Sequence, residues 1–181
     1  MDPVTLKTAR VLLRPFAPAD ADAVYTACQD ADIQHYTPAP TPYRREDAAK
    51  HVTETAPQGW ATDQDYILGA FRADNGALVG SFCLTKLFQG VYELGYWAAK
   101  EQRGQGYSTE AARALCDWGF AELHAHRIEW WAMAGNTASR ALAERLGFTL
   151  EGTLRNRNMV NGQPHDWWVG GLFKPSDSPS A

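Results

Sequence analysis

Cysteine is scarce and badly spaced: Cys28, Cys83 and Cys116 are the only three in 181 residues. An odd, scattered set makes neither a disulfide framework nor a metal-binding cluster, so a reducing cytoplasm is the expected setting. No apolar run approaches the ~18 residues that a membrane-spanning helix needs, so no membrane partner is expected. Met1-Asp2-Pro3 lacks the basic and apolar regions of a secretory signal. Basic charge is not in excess either. The 17 Lys and Arg against 21 Asp and Glu leave a formal charge of -4, which argues against a nucleic-acid partner. What is present is ordinary for one globular domain: 45% apolar and 21% charged residues. That composition excludes a disordered chain, a collagen-like chain and a coiled coil. Only the Pro- and Ser-rich residues 175–181 read as a disordered tail, leaving 1–174 as the domain.

Strand and helix signals alternate along that domain. Val11–Arg14 reads as a short first strand, and Pro18 and Asp20 open a helix to about Gln29. A loop from Tyr36 to Tyr43 and a short helix around Glu46–Val52 follow. Tyr66–Phe71 and Leu78–Leu87 are strands joined at Asp74-Asn75-Gly76, a strong hairpin signal. Val91–Ala99 is a further strand. A glycine loop then leads into a helix from Ser108 to about Leu123, whose apolar rows Ala111-Leu115-Trp118 and Ala112-Cys116-Phe120-Leu123 make one broad buried face. The strand Arg127–Met133 completes a βαβ unit, so its two strands are expected to be parallel. A last helix, Thr137–Leu146, stops at Gly147. Strands Phe148–Met159 and Asp166–Phe173 end the domain, joined at Asn161-Gly162. The class is α+β: a mixed, mostly antiparallel central sheet with one parallel βαβ crossover and helices on both faces.

The loop Arg103-Gly104-Gln105-Gly106-Tyr107 carries the chemistry. Glycines between a strand end and a helix start let the backbone approach a ligand, and the outward N–H groups and helix dipole suit a pyrophosphate. No Lys-Ser/Thr pair follows at Walker spacing, and Thr109 stands where a dinucleotide fingerprint needs its third glycine. By itself a Gly-x-Gly is equally a plain tight turn. Asn136, just before the last helix, is a natural N-cap. His124 and His126 lack a third ligand nearby, so no metal is expected. Ser108 does not sit in a Gly-x-Ser-x-Gly elbow, which argues against a hydrolase.

The stretch Glu93 to Glu110, with Arg103, Gly106 and Ser108 on the pattern Arg/Gln-x-x-Gly-x-Gly/Ala, resembles the coenzyme-A-binding segment of GNAT N-acetyltransferases. A second block, from Asn136 through Ser139 and Leu142 to Phe148, is similar to the branch that acetylates ribosomal-protein N-termini, the RimJ/RimL type. Leu150 to Arg155, Gly162, Asp166, Leu6 to Pro15 and the Tyr36–Tyr43 loop continue that likeness to nearly the whole chain.

This resemblance implies a GNAT fold and an acetyl-CoA-dependent N-acetyltransferase, with acetyl-CoA as cosubstrate and no metal. Pantetheine would pair with the free strand edge at Trp97, Ala98 and Ala99. The pyrophosphate would sit on the loop Arg103, Gly104, Gln105, Gly106, Tyr107 and Ser108, with Asn136 and Ser139 across from them. The tyrosine acid of many GNAT enzymes falls on Ala143, so the resemblance turns to Ser139 as the acid. The RimL-type glutamate falls on Asn158, which leaves Glu93 as the candidate base. Strand alternation places Glu93 on one face with Gly95 and Trp97. Glu151, His165 and Asp166 are weaker alternatives. Tyr36, Tyr43, Trp131, Trp167 and Trp168 lie on segments that wall the acceptor pocket in the family. An aromatic usually stands where Gly170 is found, so Gly170 is expected to leave room there. The expected partner is an amine-bearing acceptor, a protein N-terminus or a small molecule. A homodimer is compatible with the sequence, and a catalytically idle acyl-CoA-binding module is the alternative of a different class.

Overall fold

In the computed structural model, which describes residues 1–160 and 162–174, eight strands form one sheet in the order β1-β2-β3-β4-β5-β6-β8-β7. The strands are β1 Leu6–Lys7, β2 Val11–Arg14, β3 Asp65–Arg72, β4 Leu78–Phe88, β5 Val91–Ala98, β6 Arg127–Met133, β7 Thr149–Val160 and β8 Gln163–Phe173. Every pairing is antiparallel except β5 with β6. The expected parallel crossover is the βαβ unit through α5 (Tyr107–Glu122). The tail 175–181 and Asn161 lie outside the described residues.

Alternation along the strands feeds a separate core on each face of the sheet. On one face Tyr66, Leu68, Phe82, Leu94, Ile128 and Trp130 pack under α5 and α6 (Thr137–Leu146). Helix α5 lies close because its buried face is rich in small residues. A Cβ at Gly119 would stand only 2.5 Å from Leu84 Cδ1. On the other face Ile67 and Phe71 pack with Val24, Ile33, Ala48 and Val52. Those residues belong to α1 (Ala21–Ala27), α2 (Ala31–Tyr36), α3 (Arg45–Lys50) and a π turn (His51–Thr55) that runs on into α4 (Ala56–Ala61).

Two helical segments depart from the sequence reading. Helix α2 was expected as chain between a helix and a loop, yet Asp30 caps it by accepting from Ile33 N–H at 3.2 Å. The helix expected to end at Val52 continues to Ala61. Pro57 has no N–H to give the preceding turn, and the wider π turn just before it accommodates that gap. The short strand β1, paired Leu6↔Leu13, was also not anticipated.

Candidate active site

The parallel pairing of β5 with β6 is short. It runs Val91↔Arg127, Tyr92↔Ile128, Glu93↔Glu129 and then stops, although both strands continue. Beyond Glu129, strand β6 stays with β8 as far as Met133↔Trp167, while β5 stays with β4 as far as Ala98↔Gly80. The strands therefore splay, and a groove of about 1280 Å³ opens along the gap. The Ala99 N–H donates to Val79 O at 2.9 Å. Alternation then turns Trp97 and Ala99 backbone toward β4, and Tyr96 and Ala98 backbone toward the gap. Of the three expected edge residues, Ala98 offers its amide to the groove, while Trp97 lines it with its side chain on the other face.

The glycine loop closes one end. Gly104 and Gly106 adopt φ of +74° and +83°, a region that costs other residues roughly 1–2 kcal/mol. The turn at Gly106 starts α5, and the first N–H to find an intrahelical partner is that of Glu110, on Gly106 O. The N–H groups ahead of it are open at the positive end of the helix dipole. Gly104, Gly106 and Ser108 line the groove. Gln105 and Tyr107 turn their side chains elsewhere: Gln105 donates to Glu101 O, and the Tyr107 ring lies 4.8 Å from the Arg10 guanidinium. Arg10 also donates to Gln105 O at 3.0 Å, holding the loop from behind.

Arg103 ties this end to the rest of the groove. Its Nε donates to Ala98 O at 3.1 Å, and its guanidinium reaches Asp30 at 2.6 Å and Asp32 at 3.2 Å. Burial pushes the Asp30 carboxyl up, but Arg103 outweighs it and holds Asp30 below the usual range. The same Asp30 caps α2, so the glycine loop and α2 share one ion pair.

On the α6 side, Asn136 is the N-cap, accepting from Ser139 N–H at 3.1 Å. Ser139 Oγ accepts from Trp130 Nε1 at 2.9 Å and lies 2.7 Å from the Tyr96 hydroxyl. Burial pushes the Tyr96 phenol up to about 12. Neither Tyr96 nor Trp130 stood out in the sequence. Strand alternation puts Tyr96 on the α6 face, but only the fold brings it under Ser139. Ala143 is a core residue.

Glu93 enters the groove from the opposite face. Burial, reinforced by the Glu129 and Asp65 carboxylates against the opposing charge of Arg157, raises its pKa above the ordinary glutamate range. Glu129 is occupied by Arg127 at 2.8 Å and by Trp131 Nε1 at 2.8 Å. Tyr36, Trp131 and Trp167 line the groove, as does the largely buried Tyr43. Trp168 does not. It points to the α6 face and stacks on Trp130 at 6.5 Å, because its neighbour Trp167 takes the groove side. Gly170 does not enlarge the pocket either. A Cβ there would stand 2.8 Å from Thr149 O and 3.4 Å from the Trp130 ring. Asn158 and Glu151 lie on exposed parts of β7, with Glu151 paired to Arg127. His165 and Asp166 lie outside the groove lining, and Asp166 accepts from Asn156 N–H.

Two groove residues were not anticipated. The His51 ring, on the π turn, sits 3.4 Å from Ser81 Oγ, and burial lowers its pKa. Cys83 also faces the groove, and burial pushes its thiol up to about 11, so it stays protonated and a weak nucleophile. Among the described residues no group of three His, Cys, Asp or Glu side chains is placed to hold a metal ion. No described helix is long and apolar enough to cross a membrane.

Residues 10–149 match the acetyltransferase (GNAT) domain model. A Bacillus subtilis (strain 168) protein named "Probable N-acetyltransferase YjcK" is 33% identical over 138 residues, covering 75% of this chain and 76% of its own. The [Ribosomal protein uS5]-alanine N-acetyltransferase of Escherichia coli (strain K12) is 26% identical, covering 97% of this chain and 94% of its own. A crystal structure of a GNAT-family acetyltransferase from Bacillus anthracis superposes with a TM-score of 0.84 at 25% identity, covering 94% of this chain and 98% of that one. A splayed parallel strand pair, a glycine loop at a helix N-terminus and a family match over most of the chain agree, and the chain belongs to the GNAT family of N-acetyltransferases.

Proposed function

We propose that the protein transfers acetyl from acetyl-CoA directly to the α-amine of a protein or peptide N-terminus. The observation that carries this reading is Glu93, a carboxylate in the groove whose pKa is raised by burial. A carboxylate with raised pKa is a better proton acceptor from an ammonium group. An α-amine, with a reference pKa near 8 against about 10.4 for lysine, needs only modest help.

In this reading acetyl-CoA lies in the strand gap, its amides toward Tyr96 and Ala98 backbone and its pyrophosphate on the N–H groups of Gly104 to Ser108, the Arg103 N–H being held by Lys100 O at 3.2 Å. Asn136 hydrogen-bonds the pantetheine arm through the part of its amide that the cap does not use. The acceptor enters between Tyr36, Trp131 and Trp167, where aromatic faces suit an ammonium group. Glu93 takes the ammonium proton. The neutral nitrogen attacks the thioester carbonyl, the N–C bond forms, the C–S bond breaks, and the sulfur leaves under a hydrogen bond from Ser139. The adduct nitrogen gives up a second proton as the sulfur gains one, and Glu93 releases the first to solvent, so ammonium and acetyl-CoA become amide, CoA thiol and one free proton. A protonated Cys83 argues for direct transfer rather than a covalent carrier. The relative that acetylates a ribosomal-protein alanine supports an N-terminal acceptor.

The test is steady-state CoA release with a panel of amines. Turnover of peptides with free N-termini supports the reading. Turnover confined to small-molecule amines would move the acceptor to that class, and no turnover with bound acetyl-CoA would make the protein an acyl-CoA-binding module.

A further inference from the structure

A serine hydroxyl has one proton to give and two lone pairs to fill. At Ser139 one lone pair is filled by Trp130, because an indole N–H can only donate, here at 2.9 Å. The Tyr96 hydroxyl, 2.7 Å away, can meet Ser139 Oγ in either direction. If Tyr96 donates, both serine lone pairs are full and the serine proton has nowhere to point but the groove that Ser139 lines. If Ser139 donates, the Tyr96 proton turns to the Ser139 carbonyl, 3.2 Å away, and Ser139 has nothing to offer a ligand. The heavy atoms accommodate both arrangements without moving.

The two partners are rigidly held. Trp130 is only 2% exposed, and the Tyr96 ring stacks on Phe82 at 5.8 Å with planes 12° apart. Each reaches Ser139 from a different strand: Tyr96 from β5 and Trp130 from β6, the strands that splay to make the gap. Ser139 thus bridges the two sides of the gap from above.

We propose that Tyr96 and Trp130 are positioning residues that together aim the Ser139 hydroxyl proton at the departing thioester sulfur, with the Tyr96–Ser139 hydrogen bond reversing direction when acetyl-CoA binds. This deepens the reaction proposed above and rests on its assignment of Ser139. Neither positioning residue loses a proton. Tyr96 trades its hydrogen bond to the Ser139 carbonyl for one to Ser139 Oγ, and the serine proton turns from Tyr96 to sulfur.

A double-mutant cycle tests this, because residues acting through one another lose additivity. Tyr96→Phe should lower kcat about tenfold, the rate equivalent of one hydrogen bond, with acetyl-CoA affinity by calorimetry unchanged. In a Ser139→Ala background the same change should cost nothing further. Trp130→Phe should behave alike, and its cycle decides the matter if a thermal melt finds Tyr96→Phe unfolded. Equal losses in both backgrounds, or no loss from Tyr96→Phe, would overturn the proposal while leaving Ser139 in the reaction. Full kcat in Ser139→Ala alone would instead remove Ser139 from the reaction, and the proposal with it.

Discussion

The wall of the groove that we assign to the coenzyme draws mostly on the stretch Tyr96–Ser108 and acts largely through backbone, whereas the proposed acceptor wall gathers side chains from α2, the π turn, β5, β6 and β8. Backbone N–H groups bind phosphate whatever side chains they carry, provided the glycines at positive φ stay. Side chains collected from distant segments can change one at a time. A family can therefore hold its coenzyme site and vary its acceptor. The two walls meet at Arg103, whose guanidinium joins the loop to the Asp30 cap of α2.

The largest expected effect falls on the coenzyme wall alone. Gly106→Glu strains a φ of +83° and sets its Cβ 3.2 Å from Arg10 Nη2, the side chain that holds the loop, so the N–H groups of the turn should lose their arrangement. Acetyl-CoA should lose its stabilising effect in a thermal melt. In the parent protein, ligand at a hundred times its dissociation constant adds about 2.7 kcal/mol, roughly 5–10 °C for a domain of this size. An undiminished shift in the variant would remove the loop from coenzyme binding.

Next comes the reacting centre. Ser139→Ala should lower kcat by up to ~10²-fold, at the low end for general acid catalysis, with acetyl-CoA affinity little changed. A loss confined to affinity would make Ser139 a binding residue.

Glu93→Gln crosses to the acceptor wall and should act in two directions. Its rate deficit should be greatest at low pH, where amine deprotonation limits turnover, and should shrink as pH rises. Stability should move oppositely. Because the folded-state pKa of Glu93 is raised, the native chain holds that proton more tightly than the unfolded chain. Stability therefore falls as pH rises from the ordinary glutamate range through the raised value. The glutamine variant should then melt higher than the parent at neutral pH, with the gap closing below the ordinary glutamate pKa. A variant that keeps the parent's rate–pH profile would take the base role from Glu93.

The smallest effect belongs to the aromatic lining. Trp131→Ala should raise the KM for the amine about two- to fivefold, the size of an exposed cation–π contact, and leave the KM for acetyl-CoA alone. An equal rise in both would mean that Trp131 shapes the whole groove.

The same contrast explains what could be read from the sequence. The glycine-loop end of the groove was legible because its signal is local: a strand, then glycines at a helix start, all within one βαβ unit. The acceptor wall was half legible. Alternation placed Glu93 with Gly95 and Trp97, but in the neighbouring pair Trp167 and Trp168 the groove side fell to Trp167. Gly170 looked like an opening in the pocket and is instead a contact with Thr149 backbone. Tyr96 and His51 carried no motif, since their roles depend on Ser139 and Ser81 arriving from elsewhere in the chain. Helix α2 was hidden because its cap, Asp30, reads as a loop residue until Arg103 and Ile33 are seen bonded to it.

The acceptor we propose for this groove is an α-amine. The direct measurement is CoA release from two matched peptides across pH, one with a free N-terminus and no lysine, the other N-blocked with a single lysine. The free N-terminus should turn over faster at neutral pH, with the gap narrowing as pH rises toward the lysine pKa of about 10.4. Faster turnover of the N-blocked peptide at neutral pH would contradict it.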